Sequence, residues 1–276
     1  MGRRRRLILS WAVIAVWGLV VFVPLYWIGT VSLKTGLALN QETTYVPWVD
    51  FEPTFGSWRR LIDQSERTIP PLLNSALIAT ASSAVALLVS TMAAVSLSRF
   101  PDRRLGPFSD STISFLFLAQ RMFPTALLAI PLLVTFRELR LLDTHIALII
   151  TYTAFGIPFA VWLLREFIRR IPIEIEDAAM VDGCDRMEVI RHVTIPLAAP
   201  GLVAVFVLLF ITAWNEFYFA SVLSFFRVVT APLWISHVGG RMLAAVVIVT
   251  TIPPIVAGLL LERLLRRGLL TGGIKG

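Results

Sequence analysis

Residues 68–98 read TIPPLLNSALIATASSAVALLVSTMAAVSLS, thirty-one consecutive positions without a charged side chain. About twenty apolar residues are enough for a helix to cross the hydrocarbon of a bilayer. Closed between Arg67 and Arg99, this stretch has the length and the borders of a membrane span. The same pattern recurs on both sides of it. Residues 7–33, 144–164, 192–215 and 242–261 form further charge-free runs of 27, 21, 24 and 20, and residues 111–136 form another interrupted only by Arg121. Because backbone polar groups in lipid must be satisfied within the segment, each run is expected to be helical. The chain therefore reads as an all-α polytopic membrane protein, a single domain over residues 1–276 with six spans. Their expected limits are about 7–33, 69–98, 111–136, 145–164, 197–222 and 242–261.

Composition supports this reading. Hydrophobic residues make up 57% of the 276 residues and charged residues 16%, against roughly 45–50% and about 25% in soluble domains. So apolar a chain cannot hide its side chains in one water-soluble core. Disorder is excluded by the same numbers, and a disulfide scaffold by the presence of a single cysteine, Cys184.

Orientation follows from the basic residues. Sixteen of the 25 lie on the side holding Arg3–Arg6, Arg99, Arg165 and Arg263; eight lie on the side holding Lys34, Arg59 and Arg137; Arg121 falls inside a span. This excess places both termini in the cytoplasm. The first run is about twice the length of a signal-peptide core and lacks a small-x-small cleavage site, so a retained first helix is expected. The outer segment 34–67, with Pro47, Pro53, Gly56 and Trp58, reads as a compact loop. The stretch 217–240, split by Arg227, reads as a loop with an interfacial or re-entrant turn.

The segment 165–196 is more elaborate than a connector and holds seven of the 18 acidic residues. Pro172 is placed to open a helix, and Glu174, Glu176 and Asp177 fall near its positive end. Gly183 can supply the left-handed residue that stops it. Asp185 and Glu188 have the spacing of a capping box, so a second short helix is expected, ended by Pro196. Ala178, Ala179 and Met180 give a small, flat apolar face. On the residues alone, a solvated helical loop and a docking surface for a partner are both consistent with this pattern.

The series Asp177-Ala178-Ala179, three residues, Gly183, nine residues, Val193-Thr194-Ile195-Pro196 resembles the EAA loop of ABC-importer permeases, Glu-Ala-Ala, three residues, Gly, nine residues, Ile-x-Leu-Pro. Asp177 stands for the usual Glu, Val193 for Ile and Ile195 for Leu; Asp182 before Gly183 fits. Leu73-Asn74-Ser75, Ser98-Arg99-Phe100, Met122-Phe123-Pro124, Leu141-Leu142-Asp143-Thr144, Ile157-Pro158-Phe159 and Trp214-Asn215-Glu216 look closest to carbohydrate-importer permeases of the maltose-transporter type, specifically the smaller permease partner. The resemblance implies the type I importer permease fold and a place in the bacterial cytoplasmic membrane. It implies three kinds of neighbour besides lipid and no nucleic acid: a second, non-identical permease, two ATPase subunits and an extracytoplasmic substrate-binding protein. It assigns coupling to the ATPase to Glu176, Asp177, Ala178, Ala179, Asp182, Gly183 and Pro196.

No G-x-x-x-x-G-K-[ST] phosphate loop occurs, so ATP and magnesium are expected on the ATPase partners, with no cofactor on this chain. His145, His192 and His237 lie far apart without acids or cysteines at metal-ligand spacing, so neither a metal nor a catalytic site is expected. Polar groups within spans are costly and therefore functional candidates. Gln120, Arg121, Asn215 and Glu216 are the candidates for a substrate pathway, either contacting sugar hydroxyls or pairing among helices. A phosphorylated polyol or another small polar solute is the alternative cargo. A stand-alone secondary transporter is the rival architecture, but its inverted repeats are not evident in the sequence.

Overall fold

The charge-free runs are helices. The computed structural model describes residues 3–36, 38, 45–99, 112, 115, 116, 119, 120 and 124–271. Among these, the chain is nearly all helix, with no strand beyond an isolated bridge between Pro47 and Phe51. In order, the helices are α1 (Arg3–Ser32), α2 (Gly56–Asp63), α3 (Ser65–Arg99), α4 (Thr125–Glu138), α5 (His145–Arg169), α6 (Ile173–Val181), α7 (Arg186–Val189), α8 (Ile195–Trp214), α9 (Tyr218–Leu223), α10 (Ala231–His237) and α11 (Leu243–Thr271). A π turn, Ile190–Thr194, joins α7 to α8 without a break. Five stretches are long and apolar enough to cross a membrane: Leu7–Ser32, Ser65–Arg99, His145–Arg169, Arg186–Trp214 and Leu243–Arg263. Of the remaining expected span, 111–136, the continuous described part is α4.

The fifth span differs from its expected limits at both ends. Its helix stops at Trp214 rather than at 222, because Asn215 folds its amide back onto the Ile211 carbonyl (2.8 Å) and α9 starts separately at Tyr218. At the other end Pro196 does not terminate the second loop helix. The Ile195 N–H donates five residues back to Ile190, and this widened turn admits a proline that has no N–H of its own. Helix α11 likewise continues through Pro253 and Pro254.

The chain divides into two units, Met1–Pro70 with Trp234–Ile252, and Pro71–Leu233 with Pro253–Gly276. In the first, the Thr54 N–H bonds the Leu33 carbonyl (2.8 Å). Trp58 Nε1 reaches Ser32 Oγ (3.4 Å), and Lys34 lies over the rings of Trp27 and Phe51. In the second unit α3 presents a row of small residues (Ser75, Ala79, Ser82, Ser83, Ala86, Ser90 and Ala94), all buried. Their spacing of three and four puts them on one helix face. Small side chains let backbones come close, and here they do: Ser90 Oγ donates to the Ile157 carbonyl and Thr153 Oγ1 to that of Ser82. Ala81 and Ala84 stand off the stripe. Helix α5 buries Leu148, Tyr152, Val161, Leu164 and Ile168 on its inner face against α3 and α8. Gly201 of α8 is required by contact, since a Cβ there would stand 2.5 Å from Phe167 Cγ.

Candidate functional site

Three places in the second unit carry polar chemistry. The first is a cavity of about 190 Å³ between α3, α5 and the end of α8, lined among others by Ser82, Ser83, Gln120, Tyr152, Thr212 and Glu216, with the Phe155 and Phe219 rings in its wall. Glu216 reaches it because α8 ends two residues earlier, at Trp214. Its carboxylate caps α9, accepting the Phe219 N–H (3.0 and 3.1 Å) and the Ala220 N–H (3.3 Å). Tyr152 turns its hydroxyl toward the Glu216 carboxylate. The four pathway candidates therefore separate. Glu216 and Gln120 line the cavity. Asn215 is not in its lining and spends its amide on Ile211. Arg121 lies outside the described residues. In the sequence Ser83 reads as part of a small-residue helix–helix interface (Ala76, Ala79, Ala81, Ser82, Ser83, Ala84), and nothing there marks Tyr152.

The second place is the loop 165–196. Helix α6 ends in a complete Schellman motif: the Gly183 N–H bonds Met180 and the Cys184 N–H bonds Ala179, with Gly183 at φ +99°. Asp182 is the helix cap and is exposed. Asp185 and Glu188 form the reciprocal capping box, both bonds 2.8 Å. The chain thus turns sharply between two well-capped helices.

Within this loop the structure splits the acidic pair. Asp177 and Ala178 are exposed, Ala179 is half-buried and Pro196 is exposed. Glu176, expected beside them on the docking face, is only 6% exposed and points into the chain. Its carboxylate pairs with Arg99 Nε (2.9 Å) and accepts a hydrogen bond from Thr194 Oγ1 (2.8 Å). Arg99 also donates to the carbonyls of Ile168 (3.0 Å) and Ile171 (2.9 Å). One carboxylate thereby ties α6 to the ends of α3 and α5 and to the start of α8. Arg99 is 77 residues away in sequence, and no local spacing announces it. Around the buried Glu176, the loop's outer surface shows Ile173, Ile175, Met180, Met187 and Val181, the last 88% exposed.

The third place is Asp143, immediately before α5, in a left-handed conformation (φ 58°). Its carboxylate accepts the N–H groups of Phe225, Phe226, Arg227 and Val228 at 2.9–3.1 Å. Burial alone would raise its pKa, but the four backbone donors outweigh it and hold the carboxyl below its ordinary value. Nearby, Asn74 bonds the Val229 carbonyl and His145, and Ser75 accepts the Ala231 N–H. The segment after α9 is therefore held by α3 and by the start of α5.

Residues 86–270 match the model of the family described as binding-protein-dependent transport system inner membrane component. The chain is 38% identical over 211 residues to the inner membrane ABC transporter permease protein YcjP of Escherichia coli K12, covering 74% of this chain and 73% of that protein. It is 34% identical to the trehalose transport system permease protein SugB of Mycobacterium tuberculosis (strain CDC 1551 / Oshkosh), over the whole of both chains. Its fold is that of a chain in the crystal structure of a bacterial ABC transporter involved in import of the acidic polysaccharide alginate (TM-score 0.74, 21% identity, 95% of this chain and 98% of that one). With apolar helices of spanning length and a family match over two thirds of its length, the chain is a membrane transport subunit and belongs to the inner-membrane permease components of binding-protein-dependent ABC transport systems.

Proposed function

We propose that this chain is the smaller permease of an ATP-driven sugar importer. The observation that carries this reading is the end-to-end likeness to a trehalose permease, supported by a polar cavity beside the break after α8. In this reading it pairs with a second, non-identical permease, and together they enclose a path that opens alternately to either side. Both termini lie in the cytoplasm, as the basic residues favour. A binding protein delivers the sugar from outside, and two ATPase subunits carry ATP and magnesium.

The loop 165–196 is the lever. Its exposed face (Asp177, Ala178, Ala179, Asp182 and the apolar side chains around them) docks in a surface groove of an ATPase subunit. Glu176 takes a different role from these residues, since it fastens the lever to α3, α5 and α8. Closure of the ATPase pair on ATP pushes the docked helices. The displacement reaches the spans because the lever is bonded to three of them. Docking must hold in both states for this transmission to work.

The test is uptake by the four-subunit transporter with its binding protein, offered neutral sugars and phosphorylated polyols in parallel. Import of a neutral sugar is the expected result; import of the phosphorylated solute alone would replace the cargo. Gly183→Pro, or a large side chain at Ala179, should abolish uptake while membrane insertion persists. Unchanged uptake in both variants would remove the lever assignment.

A further inference from the structure

Helix α1 carries its own depth scale. Arg3–Arg6 precede its apolar run and are costly in hydrocarbon, so Leu7 marks one border of the bilayer core. Tyr26 stands nineteen residues further on, about 29 Å at 1.5 Å per residue. The hydrocarbon is roughly 30 Å thick, which puts Tyr26 and Trp27 at the opposite border. Every residue from Leu7 to Trp27 is exposed with respect to the rest of this chain. One neighbouring helix cannot cover all sides of such a span, so lipid runs along it.

The segment after α1 folds back to that border. Tyr26 Oη donates to the Tyr45 carbonyl (3.1 Å), and the rings of Trp27 and Tyr45 lie 5.1 Å apart. Lys34 Nζ sits over both Trp27 (4.8 Å) and Phe51 (5.3 Å), which ties the other end of the turn 45–51 to the same level. The turn is firmly built. Asp50 Oδ2 accepts the N–H groups of Tyr45 (2.7 Å) and Val46 (2.8 Å), and the Trp48 N–H donates to the Phe51 carbonyl (2.9 Å). Trp48 is held at φ 64°, a left-handed conformation unfavourable for a bulky residue. Yet Trp48 is 83% exposed and Val49 79%. A fastened, strained turn that displays apolar side chains outward marks a contact surface.

Depth and composition together identify what covers it. Tryptophan and tyrosine concentrate at membrane–water borders, where the ring lies toward the acyl chains while its N–H or O–H stays wet. Tyr26, Trp27, Tyr45 and Trp48 meet at one level beside one helix. Asp50, the one acid within the turn, spends an oxygen on two backbone N–H groups. The lipid along α1 therefore continues onto the turn.

We propose that Trp48 and Val49 insert into the headgroup layer of the bilayer and anchor the end of α1 there. In the orientation proposed above this is the outer leaflet. The assignment depends on α1 spanning the membrane and is independent of the cargo.

The experiment attaches a bimane fluorophore at Val49→Cys or Leu19→Cys, each in a Cys184→Ser background, in the whole transporter reconstituted into phosphatidylcholine vesicles. The Cys184→Ser transporter, treated in the same way, supplies the background signal. The vesicles carry a nitroxide either at the headgroup or deep in the acyl chain, and iodide is added to the water. At position 49 the headgroup nitroxide should quench more than the deep one. At position 19, seven residues before Tyr26 and so about 10 Å deeper, the order should reverse. Trp48→Ala should weaken lipid quenching at position 49 and strengthen quenching by iodide. Quenching of position 49 by iodide alone would show a loop in water, and protection from both lipid and iodide would show cover by another subunit; either overturns the proposal. Stronger quenching there from the deep nitroxide overturns it too, as does quenching unchanged by Trp48→Ala. An absence of lipid quenching at position 19 removes the depth scale and the anchor with it, while sugar uptake stands as the separate test of cargo.

Discussion

At one end of α5, Glu176 holds the loop 165–196 through an arginine and a threonine hydroxyl; at the other, Asp143 holds the segment 225–228 through four backbone N–H groups. The ends of this 25-residue helix lie about 37 Å apart at 1.5 Å per residue. Each carboxylate organises the chain around it, but with different partners. Glu176 draws side chains from elements distant in sequence, so it joins separate parts of the chain to one another. Asp143 satisfies the backbone of one short loop, so it fixes a local shape whatever side chains that loop carries. The first arrangement suits a lever that must transmit a displacement. The second suits a rigid tip, and Phe226, 92% exposed, stands on that tip.

Removing the Glu176 carboxylate should have the largest effect. Breaking one side of a buried ion pair typically costs 3–5 kcal/mol. Arg99 keeps two carbonyl partners, so Glu176→Ala is expected near the lower limit, about 3 kcal/mol. Thermal melting of the purified complex would read this as a lower midpoint. The paired replacement Arg99→Met/Glu176→Met should recover most of that loss, since an apolar pair leaves no charge stranded. It should nevertheless couple ATP hydrolysis to uptake less well if the node transmits force. Equal melting and equal coupling in the double variant would reduce the node to packing.

The two nodes also differ in how far the sequence disclosed them. The capping box Asp185–Glu188 and the left-handed Gly183 are readable because their partners lie within five residues. The helices themselves are readable because a bilayer imposes a minimum apolar length. Arg99 and Glu176 are 77 positions apart, and Asp143 and Arg227 are 84 apart; such pairings depend on how helices pack, which periodicity does not encode. Pro196 misled for a related reason. Proline signals a helix end by default, and only the π turn before it shows that the ladder had already been widened. Glu176 and Asp177 were indistinguishable as neighbouring acids, and only packing reveals that one faces inward.

For Asp143, replacement by alanine frees four N–H donors, and water can replace the lost acceptor at the exposed Phe225, Phe226 and Arg227 but less readily at the buried Val228. The expected loss is about 1.5–3 kcal/mol, the range for a hydrogen bond to a charged group. It should be confined to the loop, seen as faster amide exchange at Phe225–Val228 with the melting midpoint little moved. The pH dependence has a definite sign. The carboxyl's pKa is lowered on folding from 3.8, so its stabilisation is fully present above that value and is lost as pH falls through the lower folded value. Intrinsic-rate-corrected exchange of these amides should stay slow at pH 5 and quicken only below about 3.8. Loosening at pH 5 would mean that another group holds the loop.

The smallest effects belong to the turn between α6 and α7, where the comparison can be sharpened within a single loop. Gly183 has open space around its Cα but a φ of +99°, so Gly183→Ala meets no neighbour and loses about 1 kcal/mol through backbone strain alone. Asp185→Ala removes the acceptor for the Glu188 N–H and should cost about 1 kcal/mol as well, the usual loss of an N-cap. Their consequences for transport should diverge despite similar energies. Gly183 sets the angle of α6, which carries Asp177, Ala178 and Ala179; Asp185 caps the start of the helix that continues through the π turn into α8. The glycine variant should therefore lower uptake per ATP hydrolysed several-fold, and the aspartate variant should mainly fray α7, seen as faster exchange at Arg186–Val189. If both variants reduce coupling equally, the angle of α6 is not what the lever depends on.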